Sequence, residues 1–314
     1  MKQKIKLHKR INRRTRALVV WLMRKAGIHP LMYRSFWFYV FNRNSSGHCA
    51  VNYITSRPNP LADIGHQVNN WIAGHFYAGF FNLKYAYTRF PDQEWDAFLG
   101  LGEGDPPVRH LVGKEHFSKV RLPWFHPSRR VQVNLVKRII ASYGDRKVVF
   151  ELENDQPCEQ CPRAKKLLRQ RFHAAFHRAI DSLVFDKTKF NVVIYLPIPG
   201  KQRGYKEMLD PLHKNIRQQM DYLNQLLPDI LKQIPAGREY CLYLFARGKE
   251  SDYMRVFENI DVRYCMHTYE RKTLLHLIHA DIFFSPGNAL VNVARMISSA
   301  SHPAPEAPYP ASQS

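Results

Sequence analysis

Apolar and polar positions alternate with two different periods along this chain, and the changes of period mark its elements. From Ile64 to Phe81 the residues Val68, Trp71, Ile72, His75, Phe76 and Gly79 recur at three- and four-residue steps, which predicts an amphipathic helix. "CAVNYITSRPNP" before it starts as a short β-like run and breaks at prolines, and "LKYAYT" (Leu83–Thr88) after it reads as a strand. "EWDAFLGLGEGDPP" predicts a short helix entering a Gly-Pro loop. "VQVNLVKRIIASYG" is a helix closed by Gly144, and "RKVVFELE" (Arg146–Glu153) is a strand. A basic helical stretch then covers Arg163–Ile180.

The second part of the chain repeats the alternation more cleanly. "FNVVIYLPIPGK" (Phe190–Lys201) begins as a continuous apolar run, as a strand buried on both faces does. Asp210–Gln233 is helical, and Tyr240–Gly248 is a second buried strand with a glycine exit. "SDYMRVFEN" predicts a helix, "IDVRYCM" a strand, Glu270–Ala280 a helix, "DIFFSPG" a strand and loop, and "NALVNVARMISSA" a last helix. Strands that alternate with helices predict parallel sheets of the doubly wound kind. Two such α/β halves, meeting near residue 188, are expected.

Charge changes this picture at one end. The 314 residues carry 47 Lys and Arg against 26 Asp and Glu, a net charge of +21. No acidic residue precedes Asp63, whereas thirteen of the basic ones do. Leu7, Ile11, Leu18 and Leu22 share one face of a basic helix, with Trp21 and Trp37 nearby. Such a segment can lie in a lipid headgroup layer, each basic group contributing about 1 kcal/mol near an anionic leaflet. The expectation is a peripheral protein on the cytoplasmic face of the inner membrane. A solvated tail followed by an ordinary core helix is one alternative, and nucleic-acid contact is another that no zinc-finger, RRM or helix-turn-helix pattern supports. The run Ala17–Met23 is too short for a membrane span, and no cleavage site follows it closely.

Five cysteines, Cys49, Cys158, Cys161, Cys241 and Cys265, form no disulfide framework and favour a reducing compartment. The single CxxC of Cys158 and Cys161 lacks the further ligands of a structural zinc site. The divisions expected are a basic membrane-associating segment (1–50), a first α/β domain (51–188), a second α/β domain (189–300) and a Pro/Ser-rich tail (301–314).

Ligands of parallel α/β sheets sit beyond the carboxyl ends of the strands. Four loops fall there: "SRPNPLADIGHQ", "PIPGKQR", "ARGKESD" and "SPGN". Gly65 would let backbone approach a ligand at a helix start, beside donors on His66, Gln67, Asn69 and Asn70. Lys201, Arg203 and Arg247 add positive charge, and Ser285, Gly287 and Asn288 stand at another helix start. Together they suit an anionic, polyhydroxylated ligand such as a nucleotide-sugar. Taken singly, each loop has a purely structural reading, with Gly-His-Gln as a helix cap and Ser285 as a capping serine. Walker A, GxGxxG, GxSxG, HExxH and DxD sequences are all lacking, so no metal or other cofactor is expected.

"DIGHQVNNWIAGHFYAGFFNLKYAYT" resembles the Gly-x-x-Asn-Gln opening of the bacterial α-1,2- and nodulation-type fucosyltransferases, with Gly65 and Gln67 matching and His66 in place of Asn. "YLFARGKESDY", "IDVRYCMHTY" and "LLHLIHADIFFSPGNALVNVARMIS" are similar to the C-terminal half of those enzymes, with Ala280, Asp281 and Ser285 fitting the segment that borders the donor. The resemblance spans roughly residues 51–300. It implies a GT-B-like fold, two Rossmann-like domains with parallel sheets facing a cleft, and a GDP-sugar as favoured donor. It implies sugar transfer, fucose among the candidates, to a cell-surface polysaccharide or lipopolysaccharide precursor. Asp63 and His66 are then candidates for the catalytic base, Gly65, Gln67, Lys201, Arg203, Arg247, Ser285, Gly287 and Asn288 for donor binding, and Asn69 and Asn70 for acceptor binding. The family's His-x-Arg-Arg-Gly-Asp is replaced here by "YLPIPGKQRGY". A non-catalytic module that binds nucleotide-sugar or glycan in polysaccharide assembly is the alternative.

Overall fold

The computed structural model describes residues 29–42, 52–59, 62–144, 146–158, 161–175, 183–196, 209–286 and 288–298, with backbone alone over 209–215. The chain divides into two compact units. One holds Met1–Ala62 and His66–Leu167, the other Asp63–Gly65 and Leu168–Ser314. Each contains one four-stranded sheet in which every pairing is parallel. Two α/β halves with parallel sheets are expected from the alternation of strands and helices, and two are found.

The first unit opens with a 3-10 turn (His29–Met32) and helix α1 (Arg34–Phe41). Tyr33 donates its hydroxyl to Glu153 at 2.7 Å and Ser35 donates to the Arg121 carbonyl at 2.6 Å, while Phe38 stacks on Tyr143 at 4.3 Å. This part of the basic leader is therefore docked on folded protein. Leu7, Ile11, Leu18, Leu22 and Trp21 lie outside the described residues, as do Cys49 and the 301–314 tail.

Strand β1 (Tyr53–Ser56) leads into α2 (Ile64–Phe80), which returns to β2 (Lys84–Tyr85). The predicted strand Leu83–Thr88 shrinks to two paired residues and one bridge, Tyr87 to Pro107. Helices α3 (Gln93–Leu99) and α4 (Val108–Gly113) precede β3 (Ser118–Arg121); α5 (Arg130–Ala141) precedes β4 (Val148–Leu152) and then α6 (Pro162–Ala174). Strand order is β2-β1-β4-β3. All of β4 is buried, whereas β3 is an edge strand with exposed Ser118, Lys119 and Arg121. Lys119 pairs with Glu151 at 2.7 Å and Arg121 with Glu153 at 2.6 Å, charges that blunt the edge against further pairing. That polarity hides β3 from a search for apolar alternation.

The second unit contains β5 (Phe190–Tyr195), α7 (Leu209–Lys232), β6 (Tyr240–Phe245), β7 (Val262–Tyr264), α8 (Glu270–His279), β8 (Ile282–Phe284) and α9 (Ala289–Ile297). Strand order is β7-β6-β5-β8. Val192, Ile194, Leu242, Leu244, Ile282 and Phe284 form one continuous apolar layer. The helix expected over "SDYMRVFEN" is instead two 3-10 turns, Glu250–Asp252 and Met254–Phe257. Asp252 accepts the Lys249 amide at 2.7 Å, and the hydroxyl of fully buried Tyr253 sits between the Gln219 carboxamide at 2.7 Å and the Arg247 carbonyl at 2.8 Å. Those tertiary bonds outweigh the local preference for a longer helix.

Candidate functional site

Strand order locates a switch point where consecutive connections leave a strand toward opposite sides. In the first unit the equivalent place is taken by the boundary between the two central strands, β1 and β4. Gln67, buried in the first turns of α2, donates to the carbonyl of Asn59 and accepts that residue's amide at 3.1 Å; a longer contact reaches the Ala62 carbonyl at 3.5 Å. Asn59 reaches Asp155 at 3.4 Å, and Asp155 gives its amide to Asn70 Oδ1 at 2.8 Å. Asp155 itself has a φ of 55°, which turns the chain sharply after β4. The loop after β1 is thus stitched to the loop after β4 by the protein's own amides. Asn70 is 3% exposed, with Nδ2 buried and no partner for it among the described residues.

In the second unit the switch point lies between β5 and β8. Tyr195 ends β5, and Asn288 follows β8 as the N-cap of α9. Asn288 Oδ1 accepts the Val291 amide at 2.9 Å, and its Nδ2 donates to the Tyr195 hydroxyl oxygen at 3.4 Å. Capping satisfies one of the roughly four amides that a helix start leaves free, so the positive end of α9 stays beside Tyr195. Burial raises the Tyr195 phenol above its ordinary value, the Asn288 bond opposes this, Glu270 adds to it, and Arg247 opposes it. The phenol therefore stays protonated at neutral pH. Tyr195 pairs with Phe245 across β5 and β6, so Arg247, two residues beyond β6, and Asn288, after β8, stand at the same carboxyl end of the sheet as Tyr195.

Arg247 is exposed there for a structural reason. Its carbonyl is held by Tyr253, and Gly248 takes a φ of 107° that an L side chain rarely adopts. A Cβ on Gly248 would also stand 2.8 Å from Asp252 Oδ2. The backbone after β6 is fixed while the guanidinium remains in solvent, positioned to meet an anion. Gly65 groups with this second unit and serves it by close approach. A Cβ there would fall 2.4 Å from the Ala289 Cβ and 2.8 Å from the Ala289 Cα, at the first turn of α9.

No family model matches the chain, and no curated protein matches it in sequence. One solved structure to which it is similar is Arabidopsis thaliana FUT1 in complex with GDP. Identity is 8% and the TM-score 0.48, over 85% of this chain and 74% of that chain. Assignment of the site rests on its own residues.

Of the donor-binding candidates, Arg247 and Asn288 come together with Tyr195, which the sequence marks only as a departure from the fucosyltransferase motif. Gly65 is a packing position against α9. Two expectations are corrected in role. Gln67 spends its carboxamide on Asn59 and Ala62, and Ser285 is only 2% exposed at the end of β8, so it underlies the surface. Lys201, Arg203 and Gly287 lie outside the described residues. Asp63, His66 and Asn69 are exposed around the start of α2, and Asn70 is buried beneath them.

The sequence reading missed an imidazole–carboxylate pair in the first unit. His75 Nε2 lies 3.5 Å from Asp105 Oδ2, with side-chain exposures of 12% and 14%. Its ring packs between Trp71 at 4.2 Å and Tyr85 at 3.8 Å. Helical spacing assigns His75 to an apolar face and is blind to Asp105, thirty residues on in a Gly-Pro loop. Nearby, Tyr87 donates to Asp96, whose carboxyl burial raises to about 6. Among the described residues, no group of three or more His, Cys, Asp or Glu could hold a metal ion. Among the same residues, no helix is long and apolar enough to cross a membrane.

Proposed function

We propose that this protein is a metal-independent glycosyltransferase that binds a nucleotide-sugar, a GDP-sugar by preference, through its second unit. The observation that carries the reading is the Tyr195–Asn288 pair at the β5/β8 switch point, at the Asn288-capped N-terminus of α9, with Arg247 exposed after the adjoining strand β6. A diphosphate suits it: helix amides and a guanidinium stabilise the charge that grows on the leaving group, as a metal ion does elsewhere. The neutral Tyr195 phenol and the Asn288 amide supply hydrogen bonds without adding charge. In an inverting transfer the acceptor hydroxyl attacks the anomeric carbon, the bond to the diphosphate breaks, and a base takes the hydroxyl proton. Asp63 and His66 are the proposed bases, with exposed Asn69 on the acceptor side and Asn70, buried and bonded to Asp155, holding the loop after β4 beneath it. The resemblance to bacterial fucosyltransferases supports fucose as the sugar and a surface polysaccharide or lipopolysaccharide precursor as the acceptor. The basic leader supports work at the cytoplasmic face of the inner membrane.

The loss of the family's His-x-Arg-Arg-Gly-Asp favours a second reading, a module that binds nucleotide-sugar or glycan without transfer. Thermal denaturation against nucleotides and nucleotide-sugars measures what both readings require, a rise in Tm with GDP or a GDP-sugar. Release of GDP from a GDP-sugar on adding a glycan acceptor then separates them. Binding without release supports the module, and no response to any nucleotide overturns both.

A further inference from the structure

A separate cavity opens on the first unit, where the loop after β3 meets α5. It has a volume of about 490 Å³ and is lined by His29, Pro30, Trp124, Phe125, Val131 and Leu135 among others, with Arg129 and Arg130 in its wall. That volume falls in the range of about 300–1,000 Å³ typical of ligand sites. Its surroundings are apolar and unusually exposed. Val131 is 83% exposed, and Leu31 and Met32, next along the chain from His29 and Pro30, are 42% and 50% exposed. Trp37 donates its indole N–H to the Leu31 carbonyl at 2.8 Å and stacks on Phe41, which is 79% exposed. An apolar surface therefore runs from the cavity mouth along α1.

The two segments that form this surface carry charge of one sign, and the carboxylate of Glu153, behind Tyr33, is paired with Arg121. No acidic residue occurs from His29 to Phe41 or from Pro123 to Tyr143, while Arg34, Arg129, Arg130, Lys137 and Arg138 do. Among the described residues Arg34, Arg129 and Arg130 are exposed and make no ion pair. Exposed aromatic and aliphatic side chains with arginines at their border match the interface of a lipid leaflet, where the apolar groups enter and the cations meet headgroups.

We infer that this cavity binds an acyl chain of an anionic membrane lipid, with Leu31, Met32, Trp37, Phe41 and Val131 entering the leaflet around it and Arg129 and Arg130 holding the headgroup phosphate. This site stands independently of the sugar-transfer reading and of residues 1–28.

The test uses the full chain and vesicles of phosphatidylcholine with or without phosphatidylglycerol. Sedimentation measures affinity, and phosphatidylglycerol with brominated acyl chains reports chain insertion by quenching Trp124. Wild type binds the anionic vesicles and is quenched, and Trp124→Phe removes a clear share of that quenching. Val131→Glu, on a side chain too exposed to endanger folding, weakens vesicle affinity roughly tenfold. Arg129→Gln combined with Arg130→Gln weakens it roughly thirtyfold. The inference is overturned if these variants bind as wild type does, since attachment then resides in the basic leader alone. It is equally overturned if Trp124→Phe leaves the quenching unchanged. Binding of free fatty acid without vesicle binding, or a dimer that Val131→Glu disperses without vesicle binding, also refutes it.

Discussion

The two units use the same parallel α/β plan and treat its most ligand-prone point in opposite ways. In the first, the crevice between β1 and β4 is closed by Gln67, Asn59, Asn70 and Asp155, which bond to one another and to backbone. In the second, the crevice between β5 and β8 is bordered by Tyr195, Asn288 and an exposed Arg247 whose backbone is pinned but whose guanidinium is not. Polar side chains at a strand end are thus of two kinds. Those that bond the chain's own loops hold shape, and those held only from behind remain available to a ligand.

The largest effect that sharpens this contrast is on nucleotide affinity. Arg247→Ala is expected to weaken GDP binding about tenfold to hundredfold, from loss of a charged hydrogen bond of about 1.5–3 kcal/mol. Titration calorimetry checks this, and unaltered affinity would move the anion elsewhere. Next comes Gly65→Ala, whose new Cβ would collide with Ala289. Overpacking of this kind costs about 1–3 kcal/mol, and because it displaces the first turn of α9 it should lower GDP affinity together with Tm.

Gln67→Ala should behave differently from both. It leaves the Asn59 amide and carbonyl without their partner, at about 1–2 kcal/mol in chemical denaturation, yet GDP affinity should stay at the wild-type value. A large loss of affinity with little loss of stability would reverse the assignment of the two crevices. The smallest effect concerns pH. Burial raises the Asp96 carboxyl from 3.8 to about 6, so the folded state holds that proton more tightly than the unfolded chain does. The stability it contributes is fully present below about pH 4 and is lost as pH rises through 6. Asp96→Asn, which keeps an oxygen for Tyr87, should flatten that part of the Tm–pH curve.

Much of the architecture was legible because buried parallel strands leave an unbroken apolar record: "FNVVIY" and "YCLYLF" became β5 and β6 with little change. Edge strand β3 was not, because it carries exposed Lys119 and Arg121, which pair with Glu151 of β4 and Glu153 just beyond it, in place of an apolar pattern. The turns at Glu250–Phe257 read as a helix because the hydroxyl of Tyr253 meets partners 34 and 6 positions away in sequence. For the candidate site, residue type and strand-end position singled out Arg247 and Asn288. They did not separate these from Gln67 and Ser285, since burial and bonding partners decide that difference. His75 and Asp105 meet through folding alone, and no spacing in the sequence announces them.

The central claim is that the second unit's switch point is an anion site and the first unit's boundary between β1 and β4 is not. A crystal structure of the protein soaked with GDP tests it most directly. The account predicts a diphosphate against the amides of α9, within hydrogen-bonding reach of Asn288 and the Arg247 guanidinium, with the Gln67–Asn59 bonds intact. Diphosphate density beyond β1 and β4, with those bonds broken and Arg247 untouched, would contradict it.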